Sequence, residues 1–356
     1  METITNLAQK VIPTQSLKPA SQQTILVTGA SGFVAAHVID AFLKKGYKVR
    51  GTVRNDASGE GVKKTHAKYA SQLEYVIVKD IAAPGAFDNV VQGVDGVIHT
   101  ASPFQLSVED NERDLLLPAI NGTTSVLEAV SKHAPEVKRI VITASFASIL
   151  DLSKGKRPGY TYTEDDWNPT TYEEAKTGNG AVAYCASKAF AERAAYDFVK
   201  EKKPNFDIAT INPPMIYGPP IHNVTDLSKL NTSSADIYRF VAGNETEIGD
   251  TAFPFFADVR DVAEAHLRAY EVPAASNKRF IITSGGYLYQ DVCEELRTQF
   301  PELKSKVPDP SKATDRPETA VLSNQRAKDV LGLTFRSLKE TIFDTATSLV
   351  ALEKQK

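Results

Sequence analysis

The sequence predicts an α/β fold, a doubly wound parallel sheet with a smaller, discontinuous C-terminal substrate lobe. Three observations predict it. A β-branched run at 24–28 breaks into glycines and reopens as an apolar helix. Apolar strands then alternate with amphipathic helices up to about residue 215, which implies a parallel sheet. Beyond Asn212-Pro-Pro214 the alternation fails and helices dominate.

The first strand, Thr24-Ile-Leu-Val-Thr28, runs into Gly29-Ala-Ser-Gly-Phe-Val-Ala35. Gly29 can take a positive φ at a tight turn, Gly32 leaves the backbone open to a pyrophosphate, and Ala35 is small enough for helix-on-strand packing. Amides opening the next helix, around Ser31, Phe33 and Val34, then face an anion. That is a dinucleotide turn of the Rossmann type, spaced G-x-x-G-x-x-A. A glycine-rich turn in any βα unit is the blander alternative.

The elements follow in order. A helix at 33–45 leads to a strand at 47–53, a lysine-bearing helix at 62–70 and a third strand at 73–78. A helix at 87–92 precedes a fourth strand at 94–100. Residues 111–133 read as a helix kinked at Pro118, and 138–145 as the fifth strand. A long polar loop at 151–180 separates it from a helix that carries Tyr184 and continues to about 202; such a loop is more often functional than idle. A sixth strand covers 206–211. Helices at 235–241, 259–270, 290–299, 325–330 and 338–353, with a strand at 278–283, complete the chain. The predicted division is a leader at 1–23, a nucleotide-binding domain at 24–215 plus about 253–285, and a substrate lobe from 216–252 and 286–356.

At 356 residues, with 42% hydrophobic and 24% charged residues, the composition is that of a soluble globular protein. A net charge of -3 and a pI near 6.1 argue against nucleic acid or an anionic membrane as a partner, though a locally basic pocket stays open. Cys185 and Cys293 have neither zinc nor disulfide spacing, so a reducing cytoplasm is expected. Residues 1–23 lack the apolar core of a signal peptide, and no run is long enough to span a membrane. The six histidines show no metal spacing, and His99 reads as a packed strand residue.

Ligands of such sheets lie beyond the carboxyl ends of the strands. Candidate residues are therefore those of 29–33, Arg54, Asp80, those of 100–104, Ser145 and those of 213–215. Four Tyr-x-x-x-Lys pairs occur: Tyr75/Lys79, Tyr172/Lys176, Tyr184/Lys188 and Tyr196/Lys200. Residues four apart are neighbours on a helix but not along a strand, which excludes Tyr75/Lys79. Tyr172/Lys176 falls in the polar loop, and Tyr196/Lys200 lies three turns further down the helix. Tyr184/Lys188 remains, flanked by small residues that let a flat ring approach. A phenol has a pKa near 10, and an adjacent ammonium stabilises its phenolate. With the Ser145 hydroxyl ending a neighbouring strand, Ser, Tyr and Lys form a carbonyl reduction site; a surface Tyr and Lys is the alternative for the pair alone. Arg54 after the second strand favours NADP through its 2′-phosphate, while Asp56 keeps NAD open. Asp80 and Ile81 would flank the adenine, although Asp80 could equally cap its turn.

With these residues in place, the chain resembles the extended short-chain dehydrogenase/reductase superfamily from residue 24 onward. Val27-Thr-Gly-Ala-Ser-Gly-Phe-Val-Ala35, His99-Thr-Ala-Ser-Pro-Phe104, Asn121-Gly-Thr123, Asp166-Trp-Asn168, Ala183-Tyr-Cys-Ala-Ser-Lys188 and Asp258-Val-Arg-Asp-Val-Ala263 resemble the dihydroflavonol-reductase branch, on the side of yeast NADPH-dependent methylglyoxal/isovaleraldehyde reductases and fungal carbonyl reductases. The resemblance implies that Tyr184 protonates the carbonyl oxygen, that Lys188 binds the nicotinamide ribose and lowers the tyrosine's pKa, and that Ser145 polarises the substrate. Asn121 matches a position whose backbone holds a relay water. Thr100, Ala101, Ser102, Pro213 and Met215 match the nicotinamide end, and Arg54 a 2′-phosphate ligand. Phe104, Phe146 and Met215 match pocket walls for a hydrophobic aldehyde or ketone, with ordinary packing as the alternative. A second basic residue common shortly after that arginine is replaced by Asp56, Ala57 and Ser58, so the NADPH preference need not be strict. The implied partner is a small carbonyl compound, and the chain a monomer or homodimer. Two rivals stand beside this reading: a sugar-nucleotide epimerase or dehydratase of the same fold, which needs basic groups in the second lobe for a diphosphate, and a non-catalytic NADP-sensing protein.

Overall fold

The structure, a computed structural model, describes residues 18–102, 108–313 and 315–354. Most of the leader and the candidate Phe104 lie outside the described residues. Strand β1 (Thr24–Thr28) enters α1 (Phe33–Lys44), which returns to β2 (Lys48–Val53). Helix α2 (Asp56–Thr65) begins six residues earlier than the predicted 62, because the Asn55 side chain accepts the Ser58 amide at 2.9 Å and caps it. Strand β3 (Leu73–Ile77) follows. The predicted helix at 87–92 is a set of successive turns between Gly85 and Gly93, both at positive φ, and it buries Phe87 and Val91 without a helical ladder.

Strand β4 (Gly96–His99) is followed by a π turn, Glu112–Leu116, which runs into α3 (Leu117–His133). The widened turn stands immediately before Pro118, where a proline lacks the N–H donor an α-helix needs. After β5 (Arg139–Thr143), the polar loop holds a two-residue strand β6 (Thr161–Tyr162) and α4 (Tyr172–Thr177). Tyr172 and Lys176 thus sit on a helix rather than in loop, capped by a reciprocal Thr171–Glu174 box. Helix α5 (Gly180–Lys202), β7 (Asp207–Asn212), β8 (Met215–Tyr217), α6 (Thr232–Val241), β9 (Phe255–Asp258), α7 (Val259–Glu271), β10 (Lys278–Ile281), β11 (Gly285–Gly286), α8 (Tyr289–Gln299), β12 (Val321–Leu322), α9 (Gln325–Leu331) and α10 (Leu338–Lys354) complete the order. Sequence reading missed β8 and β9: one follows two prolines and the other is four residues long and passes directly into α7.

The main sheet has seven parallel strands in the order β10-β7-β5-β4-β1-β2-β3. The order reverses at β1, so the carboxyl ends of β1 and β4 form the switch point at which such sheets take ligands. Ile25, Val27, Val38, Ile39, Phe42 and Val262 fill one face, and Leu26, Val97, Val126, Val130, Ile140 and Ile208 the other. A third core gathers Tyr217, Ile237, Phe240, Phe256, Val292, Leu296, Ile342 and Leu349 around the small β8-β9-β11 sheet.

Candidate active site

Gly29 has φ +68°, and a Cβ there would lie 3.1 Å from the Cα and Cβ of Ala101. The turn must therefore be glycine for both conformation and space. Strand pairing of Val27 with Gly51 brings the turn over β2, where the Gly29 amide donates to Thr52 Oγ1 (3.1 Å) and the Ala30 amide to the Thr52 carbonyl (2.9 Å). Gly51 permits this approach, since a Cβ there would meet the Ala30 Cβ at 2.7 Å. Gly32 caps α1 with no side chain, leaving the first amides of the helix, from Phe33 and Val34, without side-chain partners beside exposed Ser31. Such a cradle at a helix N-terminus fits a pyrophosphate. Replacing Gly29 by Ala is expected to destabilise the protein by about 1–3 kcal/mol, from left-handed strain plus the Ala101 clash, and to weaken NADPH binding; thermal melting and fluorescence titration measure the two.

Arg54 lies just past β2, exposed, with no ion-pair or hydrogen-bond partner among the described residues. Asp56 is engaged otherwise: it opens α2 and accepts from the Tyr75 hydroxyl at 3.1 Å. Asp80 Oδ1 accepts the Ala82 amide at 2.9 Å and so caps its turn. Ile81 packs against α3, where Gly122 gives it room: a Cβ there would lie 3.0 Å from Ile81 Cδ1.

At the switch point, Thr28 Oγ1 accepts the amides of Thr100 and Ala101, each at 3.1 Å, and lies 2.9 Å from His99 Nδ1. A hydroxyl that takes two amides gives its own proton to the imidazole, in keeping with a His99 whose pKa burial lowers to about 4. His99 is a packed strand residue, 2% exposed.

Ser145, Tyr184 and Lys188 come together beside this point. Ser145 follows β5 in extended backbone and caps a short turn by accepting the Ala147 amide at 3.1 Å. Its side chain faces the Tyr184 phenol and pulls that group's pKa downward. Tyr184 and Lys188 stand one turn apart near the start of α5, with the ammonium 5.3 Å from the phenol ring centroid. Lys188 Nζ donates to Ser102 Oγ at 2.5 Å, which ties the helix to the segment after β4. Burial pushes the Tyr184 phenol well above its ordinary range, against the pull of Ser145, and lowers Lys188 to about 8. The phenol is thus held protonated beside an ammonium whose pKa burial lowers to about 8.

The other candidates are dispersed. Asn121 is exposed in the middle of α3. Pro213 is buried and its carbonyl accepts the Phe146 amide at 2.9 Å, joining the Ser145 turn to the segment entering β8; Met215 is half-buried there. Phe146, matched by the resemblance to a pocket wall with ordinary packing as the alternative, is packed among aromatic neighbours. It is 4% exposed and edge-packed on Tyr162 and Phe255, at ring centroids 5.4 and 5.6 Å away, because its turn directs the ring into a satellite core. Tyr172 and Lys176 both bind Glu112, at 3.1 and 2.7 Å, and Tyr196 packs against Trp167. Neither pair adjoins a strand-end serine. Sequence reading missed Thr28, Gly51 and Thr52. No group of three metal-ligating side chains, and no helix long and apolar enough to cross a membrane, occurs among the described residues.

Residues 25–283 match the NAD dependent epimerase/dehydratase family. A putative NADPH-dependent methylglyoxal reductase of Candida albicans is 38% identical over 340 residues, covering 93% of this chain and 99% of the relative. A ketoreductase of Aspergillus niger is 41% identical over 336 residues, covering 92% and 97%. Among solved structures, the yeast methylglyoxal/isovaleraldehyde reductase complexed with NADPH superposes with a TM-score of 0.85 at 35% identity, covering 94% of this chain and 100% of that one.

Proposed function

The chain belongs to the NAD dependent epimerase/dehydratase family, and from that premise we propose that it is an NADPH-dependent reductase converting an aldehyde or ketone to the alcohol. The observation that carries this reading is the gathering of Ser145, Tyr184 and Lys188 at the switch point of the sheet. NADPH, when bound, supplies the hydride. The residues present fit it: Gly29 and Gly32 leave the cradle open, the first amides of α1 take the pyrophosphate, Arg54 takes the 2′-phosphate, and Lys188 takes the nicotinamide ribose. Ile81 lines the adenine end, and Thr100, Ala101 and Ser102 the nicotinamide end.

Ser145 holds the carbonyl oxygen by a hydrogen bond, and Tyr184 gives that oxygen its proton. Lys188 stabilises the phenolate left behind. Lone carbonyl substrates suit the small lobe better than sugar nucleotides do. Of its two cations between 221 and 248, Arg239 is committed to Asp236 at 3.1 Å and Glu245 at 3.2 Å. Two free, buried cysteines suit a reducing compartment, and we read the protein as cytoplasmic.

The test is consumption of NADPH and NADH by the purified protein with methylglyoxal, isovaleraldehyde, an aryl ketone, a β-keto ester and a dihydroflavonol. Turnover of several carbonyls with NADPH preferred is expected; NADPH binding with no turnover of any would overturn the reading. Arg54→Ala is expected to raise the KM for NADPH about 10- to 100-fold, the loss of one charge-assisted phosphate contact, and to leave the KM for NADH nearly unchanged. Equal loss for both cofactors would remove Arg54 from the phosphate site. Because Asp56 is held by Tyr75, the arginine alone is expected to set this preference.

A further inference from the structure

Below the catalytic pair, the same face of α5 carries a carboxylate. Tyr184, Lys188 and Glu192 are spaced by four, so they stand in one row on the helix. Glu192 is buried, and five donors converge on it: Thr210 Oγ1 (2.7 Å), Asn212 Nδ2 (2.8 Å), Arg279 Nε (2.8 Å) and Nη2 (3.2 Å), and the Ser148 hydroxyl. Two of those donors also hold the catalytic serine. The Ser145 carbonyl receives Asn212 Nδ2 at 3.2 Å and the Ser148 amide at 3.0 Å, with the Ser148 hydroxyl 2.7 Å away. Arg279 is itself fixed by the carbonyls of Glu164 and Asp166, at 2.8 and 2.6 Å, and lies 3.6 Å over the Trp167 ring.

We propose that Glu192 is a positioning residue for the reduction: through Ser148 and Asn212 it fixes the backbone of Ser145, and thereby aims the serine hydroxyl at Tyr184 and the substrate oxygen. The proposal rests on the reductase reading of Ser145. Its physical content is a matter of donors and acceptors. A hydroxyl has one proton and an amide two. With the carboxylate taking the Ser148 proton and one Asn212 proton, the second Asn212 proton is shared between the Ser145 carbonyl at 3.2 Å and the Ser148 oxygen at 3.1 Å. An amide in place of the carboxylate turns one acceptor into a donor, facing Asn212 and Ser148 on one side or Arg279 and Thr210 on the other. The first arrangement forces the groups that hold Ser145 to rearrange; the second sets an amide donor against the Arg279 guanidinium and removes the charge that anchors the network. Misplacing a reacting group by about 1 Å costs on the order of 100-fold in rate.

The decisive measurement is a double-mutant cycle of Glu192→Gln with Ser145→Ala, read as kcat for methylglyoxal and as NADPH affinity by fluorescence. In the wild-type background Glu192→Gln is expected to lower kcat about 10- to 100-fold. NADPH affinity is expected to stay unchanged, since the cradle at Gly29 and Arg54 lies on other strands. In the Ser145→Ala background the same substitution is expected to have little further effect, because nothing remains to aim. A purely structural Glu192 gives the same fold-loss in both backgrounds, and that result overturns the proposal; so does a Glu192→Gln enzyme with wild-type kcat. If Glu192→Gln does not fold, Ser148→Ala replaces it in the same cycle, with an expected loss of about 2- to 10-fold, that of one hydrogen bond, again only when Ser145 is present. A Ser145→Ala enzyme of full activity is the distinct failure, that of the reductase site itself.

Discussion

Replacing Tyr184 by Phe is expected to lower kcat for carbonyl reduction about 1,000-fold, within the range of a lost general acid, while NADPH affinity stays near wild type. The substitution removes one oxygen. The ring remains to pack beside Lys188, whose ammonium lies 5.3 Å from its centroid, and Ser145 keeps its Ala147 amide. What disappears is the proton that burial keeps on the phenol. A carbonyl that accepts hydride becomes an alkoxide, a far stronger base than its parent, so the step is slow unless an acid stands at hydrogen-bond distance. Ser145 cannot replace the phenol as acid, since an aliphatic hydroxyl is weaker still. Steady-state kinetics with methylglyoxal, beside fluorescence titration of NADPH, makes the comparison. Tyr172→Phe is the matched control, because Tyr172 and Lys176 repeat the pattern on α4 but spend both groups on Glu112. Full kcat in Tyr184→Phe would move the proton donor elsewhere.

The parts of this site legible in the sequence are those that a short-range rule determines. Gly29 is such a case: the turn demands a positive φ, and one residue type supplies it. So is Tyr184/Lys188, because four-residue spacing has meaning only on a helix, and the small residues around the pair mark the start of α5. Residues that act through strand register were not legible. Thr52 reaches the phosphate turn only because β1 pairs with β2, and Thr28 collects the amides of Thr100 and Ala101 only because β1 pairs with β4. Glu192 lay between these cases. Its spacing from Lys188 was in plain view, but its partners Ser148, Asn212 and Arg279 come from three separate strands or strand ends. Phe146 matches a pocket wall only through the resemblance, with ordinary packing as the alternative; the extended backbone at Ser145 and the short turn after it carry its ring toward Tyr162.

Raising the pH through about 8 is expected to slow reduction, and Lys188 is the group responsible. Burial lowers its pKa to about 8 from an ordinary 10.5, so its ammonium is present below that pH and lost above it. Among the described residues its neighbours His99, Cys185 and Tyr184 do not titrate there: burial holds His99 neutral down to about 4, keeps the Cys185 thiol protonated up to about 12, and keeps Tyr184 protonated throughout. An ammonium within about 4–6 Å favours a phenolate by roughly 1–3 pKa units, so neutralising it is expected to remove about 10- to 1,000-fold from the proton-transfer step. The sign for stability is opposite. Between about 8 and 10.5 the unfolded chain holds more protons at this lysine than the folded one, so this group's contribution to stability rises with pH across the window in which activity falls. Lost activity there is therefore not unfolding driven by Lys188, and melting temperatures taken beside the kinetics separate the two. Log kcat/KM measured from pH 6.5 to 9.5 is expected to bend downward near 8 in the wild type. Lys188→Met, with no ammonium to lose, is expected to run flat at a rate already about 100-fold lower. Should Lys188→Met retain the same bend, the bend belongs to another group and Lys188 has no charge role in the proton transfer.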